Sequence, residues 1–255
     1  MRKFAISHLL STIITAIGRI RQNKRPIPPN PRLSHAANFL YMLTGERPTK
    51  EMARDFDICL ILHADHGFNA STFSARVTTS TLSDLHSAVT SAIGTLKGPL
   101  HGGANEQVIK MLKKIGKEEN VESYIKDALS RKEKIPGFGH RVYRTEDPRA
   151  TVLREMSKKL GEKNGEPEWY EMSRKIEEVM KEEKGISLNV DFYSASVYHS
   201  MKIPSELFTP IFAMSRIVGW TGHIIEQLSN NRIFRPSDLY IGPQDLKYTP
   251  IEERK

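Results

Sequence analysis

Residues 82–99, LSDLHSAVTSAIGTLKGP, are the stretch that decides the fold class. Leu82, Leu85, Val89, Ile93 and Leu96 recur at steps of three and four, the spacing that lines one face of an α-helix, and Gly98-Pro99 ends the run. A half-buried strand needs alternation at every second position, and no stretch of the chain sustains it between turn signals. Upstream, a helical pattern runs from about Thr49 to His63, and Ser34 caps a short apolar helix to Leu43 that stops at Gly45 and Pro48. Four prolines between Arg25 and Pro31 force an extended connector, preceded by an amphipathic helix that carries Ile6, Leu9, Leu10, Ile13, Ile17 and Ile20. Downstream, Val108, Met111, Leu112 and Ile115 mark one helix and Val121 to Lys132 another. Asp147-Pro148 starts a third, continued by Val152, Leu153, Met156 and Leu160 to Gly161, and Trp169, Met172, Ile176, Val179 and Met180 make a fourth. Ser205 then caps a longer apolar helix to about Leu228, followed by an irregular tail at 232–243. The expected fold is all-α.

Between about Gly103 and Tyr198 the helices have heavily charged outer faces, flanked on both sides by more apolar stretches. That pattern predicts a large domain in two pieces, 1–102 and 199–255, with a small domain, 103–198, inserted between them. A single cysteine, Cys59, excludes an internal disulfide and a thiolate metal cluster and points to a reducing, cytoplasmic setting. The net charge of +8 suits an anionic partner. Basic residues alternate with acids, as in 113–119 and 181–184, which reads as solvated helix surface and not as a nucleic-acid stripe. The apolar run at 4–18 is interrupted by Ser7, His8, Ser11, Thr12 and Thr15 and lacks a small-x-small site, so neither a secretory signal nor a membrane span is expected.

Three segments place ionisable residues beside glycine or at a helix mouth. In Gly98-Pro99-Leu100-His101-Gly102-Gly103 the glycines admit a ligand close to the backbone, and a neutral His101 there would donate a hydrogen bond to a developing enolate oxygen. Ile135-Pro136-Gly137-Phe138-Gly139-His140 leads into Arg141, Arg144 and Arg149, guanidinium groups suited to carboxylates and phosphates. Leu188-Asn189-Val190-Asp191 begins an apolar helix with a carboxylate. Each has a plainer reading: a glycine-histidine turn caps a surface loop, and an aspartate at a helix start is an N-cap. His63-Ala64-Asp65-His66, with His101, His140 and Asp191, permits a metal site on paper, but histidines three apart are common core and capping residues and nothing else has ligand spacing, so no metal is expected.

GPLHGGANE, IPGFGHRVYRTEDPR and NVDFYS, in that order, resemble the three active-site segments of the citrate synthase family, and LHADHGFNASTFSARV and AMSRIVGWTGHIIEQLSNNRIFRP extend the likeness from about Ile20 to Pro236. The resemblance implies a two-domain helical fold in which Asp191 is the base that takes a proton from the α-carbon of an acyl-CoA. His101 would stabilise the enol and His140 would polarise the carbonyl of oxaloacetate. It further implies oxaloacetate carboxylates held by His66, Arg149, Arg216 and, across a homodimer, Arg235. Arg144, with Gly137 and Gly139 in the adenine loop, would contact coenzyme A, a co-substrate and not a permanently bound cofactor. Family members are longer at the N-terminus. That leaves several alternatives open: an acetyl-CoA enzyme making citrate, a 2-methylcitrate synthase using propionyl-CoA, a truncated non-catalytic paralogue, and one half of a split enzyme whose missing N-terminal helices come from a second chain.

Overall fold

Eleven α-helices and three short 3-10 turns make up the regular structure of the residues described by the computed structural model, which are 5–140, 142–143 and 145–254. The one extended pairing among them is an isolated antiparallel bridge between Phe138 and Leu188. In chain order the helices are α1 (Ala5–Arg21), α2 (His35–Thr44), α3 (Lys50–His63), α4 (Ala70–Ser80), α5 (Leu85–Leu96), α6 (Ala104–Ile115), α7 (Val121–Ser130), α8 (Pro148–Asn164), α9 (Glu168–Lys184), α10 (Val190–Ser200) and α11 (Phe208–Ser229). The all-α expectation holds.

The boundaries follow local chemistry. Side chains of Ser34, Thr49, Asn69, Asp84, Asp147 and Asn189 each accept a backbone N–H in the first turn of the helix they precede, satisfying donors that have no partner inside the helix. α5 begins after Asp84, so Leu82 lies outside it, with a φ of +63° and 72% exposure, and the buried face is Ala88, Val89, Ala92 and Leu96. α8 runs past Gly161 to Asn164 and ends on left-handed Gly165. Gly161 instead marks a close approach, because a Cβ there would meet the carbonyl oxygen of Glu166 at 3.1 Å as the chain turns back. Ser205 makes no side-chain cap and opens a 3-10 turn ahead of α11. α4 was not expected from apolar spacing; its sequence, ASTFSARVTTS, buries Ser71, Thr72, Ala75, Thr79 and Ser80. On α1 the buried positions among the described residues are Ser11, Ile14, Thr15 and Gly18, whereas Leu9, Ile13, Ile17 and Ile20 are 42–59% exposed.

Two apolar clusters hold these helices. One gathers Phe39 and Phe56 with Leu112, Leu153, Ile176 and Phe192, joining α2, α3, α6, α8, α9 and α10; the other packs Ala75, Ala92 and Leu96 against Ile217 and Trp220 of α11. α11 contributes to both. In α10 every residue except His199 is buried, and its serines and alanine permit the close packing that a larger side chain would block. Ser196 meets Ser157 of α8 Oγ to Oγ at 2.7 Å, so even the polar atoms of this contact are paired. A helix buried on all sides carries whatever stands at its N-terminus into the interior. Among the described residues no helix is long and apolar enough to cross a membrane.

Candidate active site

Asp191 stands in the first turn of α10, two positions beyond the cap. Asn189 is the cap: its Oδ1 accepts the Asp191 N–H at 3.0 Å, which leaves the Asp191 carboxyl free. Asp191 is 8% exposed and its Oδ1 is buried with no hydrogen-bond partner. Burial pushes its pKa up to about 7, against the pull of Arg149 and Arg216 and with a small push from Asp147. The N-cap reading of Asp191 is therefore replaced by that of a desolvated, unpaired carboxyl.

The glycine loop is fastened to the strand-like residues that lead into α10. Gly139 N–H donates to Ser187 O at 2.8 Å, Asn189 N–H donates to Gly137 O at 2.9 Å, and Asn189 Nδ2 donates to Gly139 O at 3.0 Å. Gly137 sits at φ +82°, and a Cβ there would lie 2.8 Å from the Phe192 ring and 2.9 Å from Val108, so only glycine fits. This staple fixes His140 relative to Asp191.

Two histidines are held neutral with opposite ring nitrogens protonated. His140 Nδ1 accepts from the backbone amides of Val142 and Tyr143, each at 3.0 Å, so its proton resides on Nε2. His101 Nε2 lies 3.3 Å from the Ser71 N–H, an otherwise unpaired donor at the start of α4, and 2.9 Å from Ser71 Oγ. A backbone amide only donates, so His101 carries its proton on Nδ1. Burial lowers the His101 pKa to about 4, helped by the charge of Arg216, and the positive end of α4 also disfavours an imidazolium. His140 is lowered by burial and by Arg149 against Asp147. His66 packs edge-on to His140 at 4.9 Å between ring centroids, and burial followed by Arg149 lowers its pKa too. His63 has a different fate: it is fully buried, with Nδ1 donating to Cys59 O at 2.7 Å and its ring against Phe212, so it belongs to the core and not to the site.

The cationic groups are positioned by the fold. Arg149, in the first turn of α8, is gripped by Asp147 through Nε at 3.0 Å and Nη2 at 2.7 Å, while Asp147 also caps the helix. Burial alone would raise the Asp147 pKa, but the hydrogen bonds and charge of Arg149 outweigh it and hold the carboxyl below its usual range. Arg216, on α11, is 2% exposed, donates from Nε to His63 O at 2.8 Å and stacks over Phe212 at 4.8 Å. Burial and the neighbouring Arg149 lower its pKa to about 10, which leaves it charged at neutral pH. No carboxylate among the described residues lies within 4.0 Å of Arg216, so its remaining N–H groups can serve a bound anion.

His66, His101, His140, Arg149, Asp191 and Arg216 all line one cleft of about 1330 Å³, together with Gly137 and Gly139. Arg235 does not: it is exposed in the tail after α11, with Nη1 on Pro236 O at 2.6 Å and 3.5 Å from Asp238. Arg144 lies outside the described residues. Away from Asp191 the cleft passes Met111, Phe138 and Ile135 and reaches Lys110, Lys114 and Lys134. Among the described residues no group of three or more His, Cys, Asp or Glu side chains is placed to hold a metal ion. Residue patterning missed Ser71, which orients His101, and the clamping role of Asp147; the latter was legible as a cap but not as the partner of Arg149.

An unpaired buried carboxyl, two neutral imidazole donors and two fixed guanidinium groups facing one cleft of an all-α protein define an acid–base site for anionic substrates. The citrate synthase C-terminal domain profile matches residues 2–237, and the chain belongs to the citrate synthase family. Citrate synthase 2 of Bacillus subtilis is 57% identical over 242 residues, covering 95% of this chain and 65% of that protein. The structure of citrate synthase from Thermotoga maritima superposes with a TM-score of 0.89 at 42% identity, covering all of this chain and 70% of that one. Citrate synthase of the archaeon Thermoplasma acidophilum, solved as a ternary complex with carboxymethyl coenzyme A and oxaloacetate, gives 0.87 at 38% identity over 96% of this chain and 66% of that one. The chain spans about two thirds of the length of the curated relatives it matches.

Proposed function

We propose that this chain condenses acetyl-CoA with oxaloacetate and hydrolyses the product to citrate and coenzyme A, the first step of the tricarboxylic acid cycle. The observation that carries this reading is Asp191: a buried carboxyl whose Oδ1 has no partner, in a cleft that also presents two neutral histidines. A thioester α-proton is very weakly acidic. Its removal calls for a base of raised pKa together with a donor at the forming enolate oxygen. Asp191 is that base and His101 Nδ1–H the donor. His140 Nε2–H bonds the ketone oxygen of oxaloacetate, drawing electron density from the carbonyl carbon that the enol attacks, and the new carbon–carbon bond leaves citryl-CoA. Water then cleaves the thioester, releasing coenzyme A.

Oxaloacetate is a dianion at neutral pH, and Arg149, Arg216 and His66 are its partners within the chain, with Arg235 reaching a second subunit's cleft in a homodimer. The coenzyme A arm lies over the 135–139 loop toward Lys110, Lys114 and Lys134 of the cleft, and Arg144 is a further partner for its phosphate. Residues 103–198 act as a small domain that closes on the parts at 1–102 and 199–255 to exclude water. The setting is cytoplasmic. The test is coenzyme A release from acetyl-CoA and, separately, propionyl-CoA, each with and without oxaloacetate. Release that requires oxaloacetate and favours acetyl-CoA is expected; preference for propionyl-CoA would make the product 2-methylcitrate, and no release from folded chain would overturn the reading.

A further inference from the structure

Behind the cleft, α8, α9 and α10 meet at one carboxylate that the proposed mechanism does not use. Glu177 of α9 accepts from Arg154 Nη2 at 2.7 Å on Oε1, and from Tyr193 Oη at 2.6 Å and Arg174 Nη1 at 2.7 Å on Oε2. Arg154 of α8 also donates from Nη2 to Glu146, and its guanidinium lies 5.4 Å from the centre of the Tyr193 ring. The side chains of Arg154 and Glu177 are only 15% and 18% exposed, and Tyr193 is fully buried. Neither Glu177 nor Arg154 lines the cleft.

What this node joins is specific. Tyr193 follows Asp191 by two residues in the first turn of α10, and Glu146 directly precedes Asp147, whose carboxylate grips Arg149. Glu146 also ends the short segment that begins at His140 and whose amides at Val142 and Tyr143 fix the His140 ring. The base on α10 and the anion clamp on α8 therefore sit on helices bonded directly to Glu177, and the segment of the carbonyl-polarising histidine is tied to it through Arg154 and Glu146. Net stability is a poor explanation for such a node, since a largely buried ion pair seldom outperforms apolar side chains of the same volume once desolvation is counted. Directional bonds from α9 to α8 and α10 do something that apolar packing does not: they set the angle between the helices.

We propose that Glu177 is a positioning residue, which through Tyr193 and Arg154 holds Asp191, His140 and Arg149 in mutual register. Its kinetic consequence rests on the condensation reading; its structural consequence does not. The test uses Glu177→Gln and Tyr193→Phe in the full chain, read by hydrogen–deuterium exchange and by steady-state kinetics. Both variants should speed exchange together in the first turn of α10 and in 140–147, leaving α4 and α5 as in the parent. Turnover should fall about 10- to 100-fold, the cost of misplacing reacting groups by about 1 Å. The pH midpoint of kcat/KM should not move, because no member of the node contributes to the titration of Asp191. Faster exchange confined to α9, or turnover within twofold of the parent in folded variants, would overturn the proposal. If Glu177→Gln does not fold, Tyr193→Phe, which keeps the buried ring, decides alone. If the parent releases no coenzyme A, the condensation reading fails, and the exchange pattern still decides whether Glu177 couples the two segments.

Discussion

Asp191→Asn separates the two consequences of burying a carboxyl. The pKa of Asp191 is raised from 3.8 to about 7, a little over three units, and at about 1.36 kcal/mol per unit the ionised form costs the folded state on the order of 4 kcal/mol. The sign follows from proton counting. Between the two pKa values the folded state holds a proton that the unfolded state has lost, so this group makes stability fall as pH rises from about 4 to about 7, after which its cost stays constant. Asparagine has the shape of the protonated acid and never ionises. The variant should thus match the parent to within about 1 kcal/mol at pH 4, exceed it by roughly 2 kcal/mol at pH 5 and by about 4 kcal/mol at pH 8, which for a chain of this size is a gain of roughly 10 °C in melting temperature. Turnover should move the other way, falling about a hundredfold to ten-thousandfold with the loss of a general base. Urea unfolding of both proteins at pH 4, 5 and 8, beside coenzyme A release at pH 8, measures each arm. A variant no more stable than the parent at pH 8 would refute the desolvation argument, and one that keeps near-parent turnover would refute the assignment of the base.

Three further outcomes follow from the geometry. In the parent, kcat/KM should rise with pH to a plateau by about pH 8 with a midpoint near 7, because only ionised Asp191 accepts a proton; a profile flat from pH 6 to 9 would contradict this. Arg149→Ala should raise the KM for oxaloacetate by tenfold or more while leaving that for acetyl-CoA near the parent value, since it deletes a charge-assisted carboxylate partner, and it should also leave Asp147 buried and unpaired and so cost about 3 kcal/mol of stability. Gly137→Ala should destabilise by about 2 kcal/mol or more and lower turnover, because the Cβ meets Phe192 and Val108 and the backbone is left-handed; circular dichroism melting and the release assay check both.

How far the sequence could be read depended on which forces write a local pattern. Apolar spacing at three and four marked α6, α8 and α9 because one face of each is buried and the other is charged and wet. It failed for α4, which buries serine and threonine beside alanine, and on α1, where the expected apolar stripe and the buried face differ. Asn69 was the signal for α4: a capping side chain ahead of a run with no proline or glycine. Histidine identity was the harder problem. His63 and His66 stand three apart on or just past one helix, and nothing in their spacing tells that α3 ends between them, so that the first turns into the core and the second, past the helix, faces the cleft.

The protonation states explain why residue identity alone underdetermined the site. A histidine in a glycine turn is a donor, an acceptor or a cation depending on which backbone amides reach it, and those amides are placed by chain segments distant in sequence: Ser71 for His101, thirty residues away. His140 is the contrasting case, since its two amide donors lie two and three residues on, in its own turn. The same dependence applies to Arg149 and Arg216. Arg149 carries its own carboxylate partner two residues before it, an arrangement visible in Asp147-Pro148-Arg149, whereas Arg216 is held by the carbonyl of His63, one hundred and fifty-three residues earlier, and has no acid within reach among the described residues. The two guanidinium groups are therefore not equivalent: Arg149 arrives partly neutralised and sterically fixed, while Arg216 keeps an uncompensated charge in a buried place. On the proposed reading, an anion held at Arg216 offsets a charge that helps to lower the pKa of His101, and burial, the larger cause, is left to keep that histidine a neutral donor.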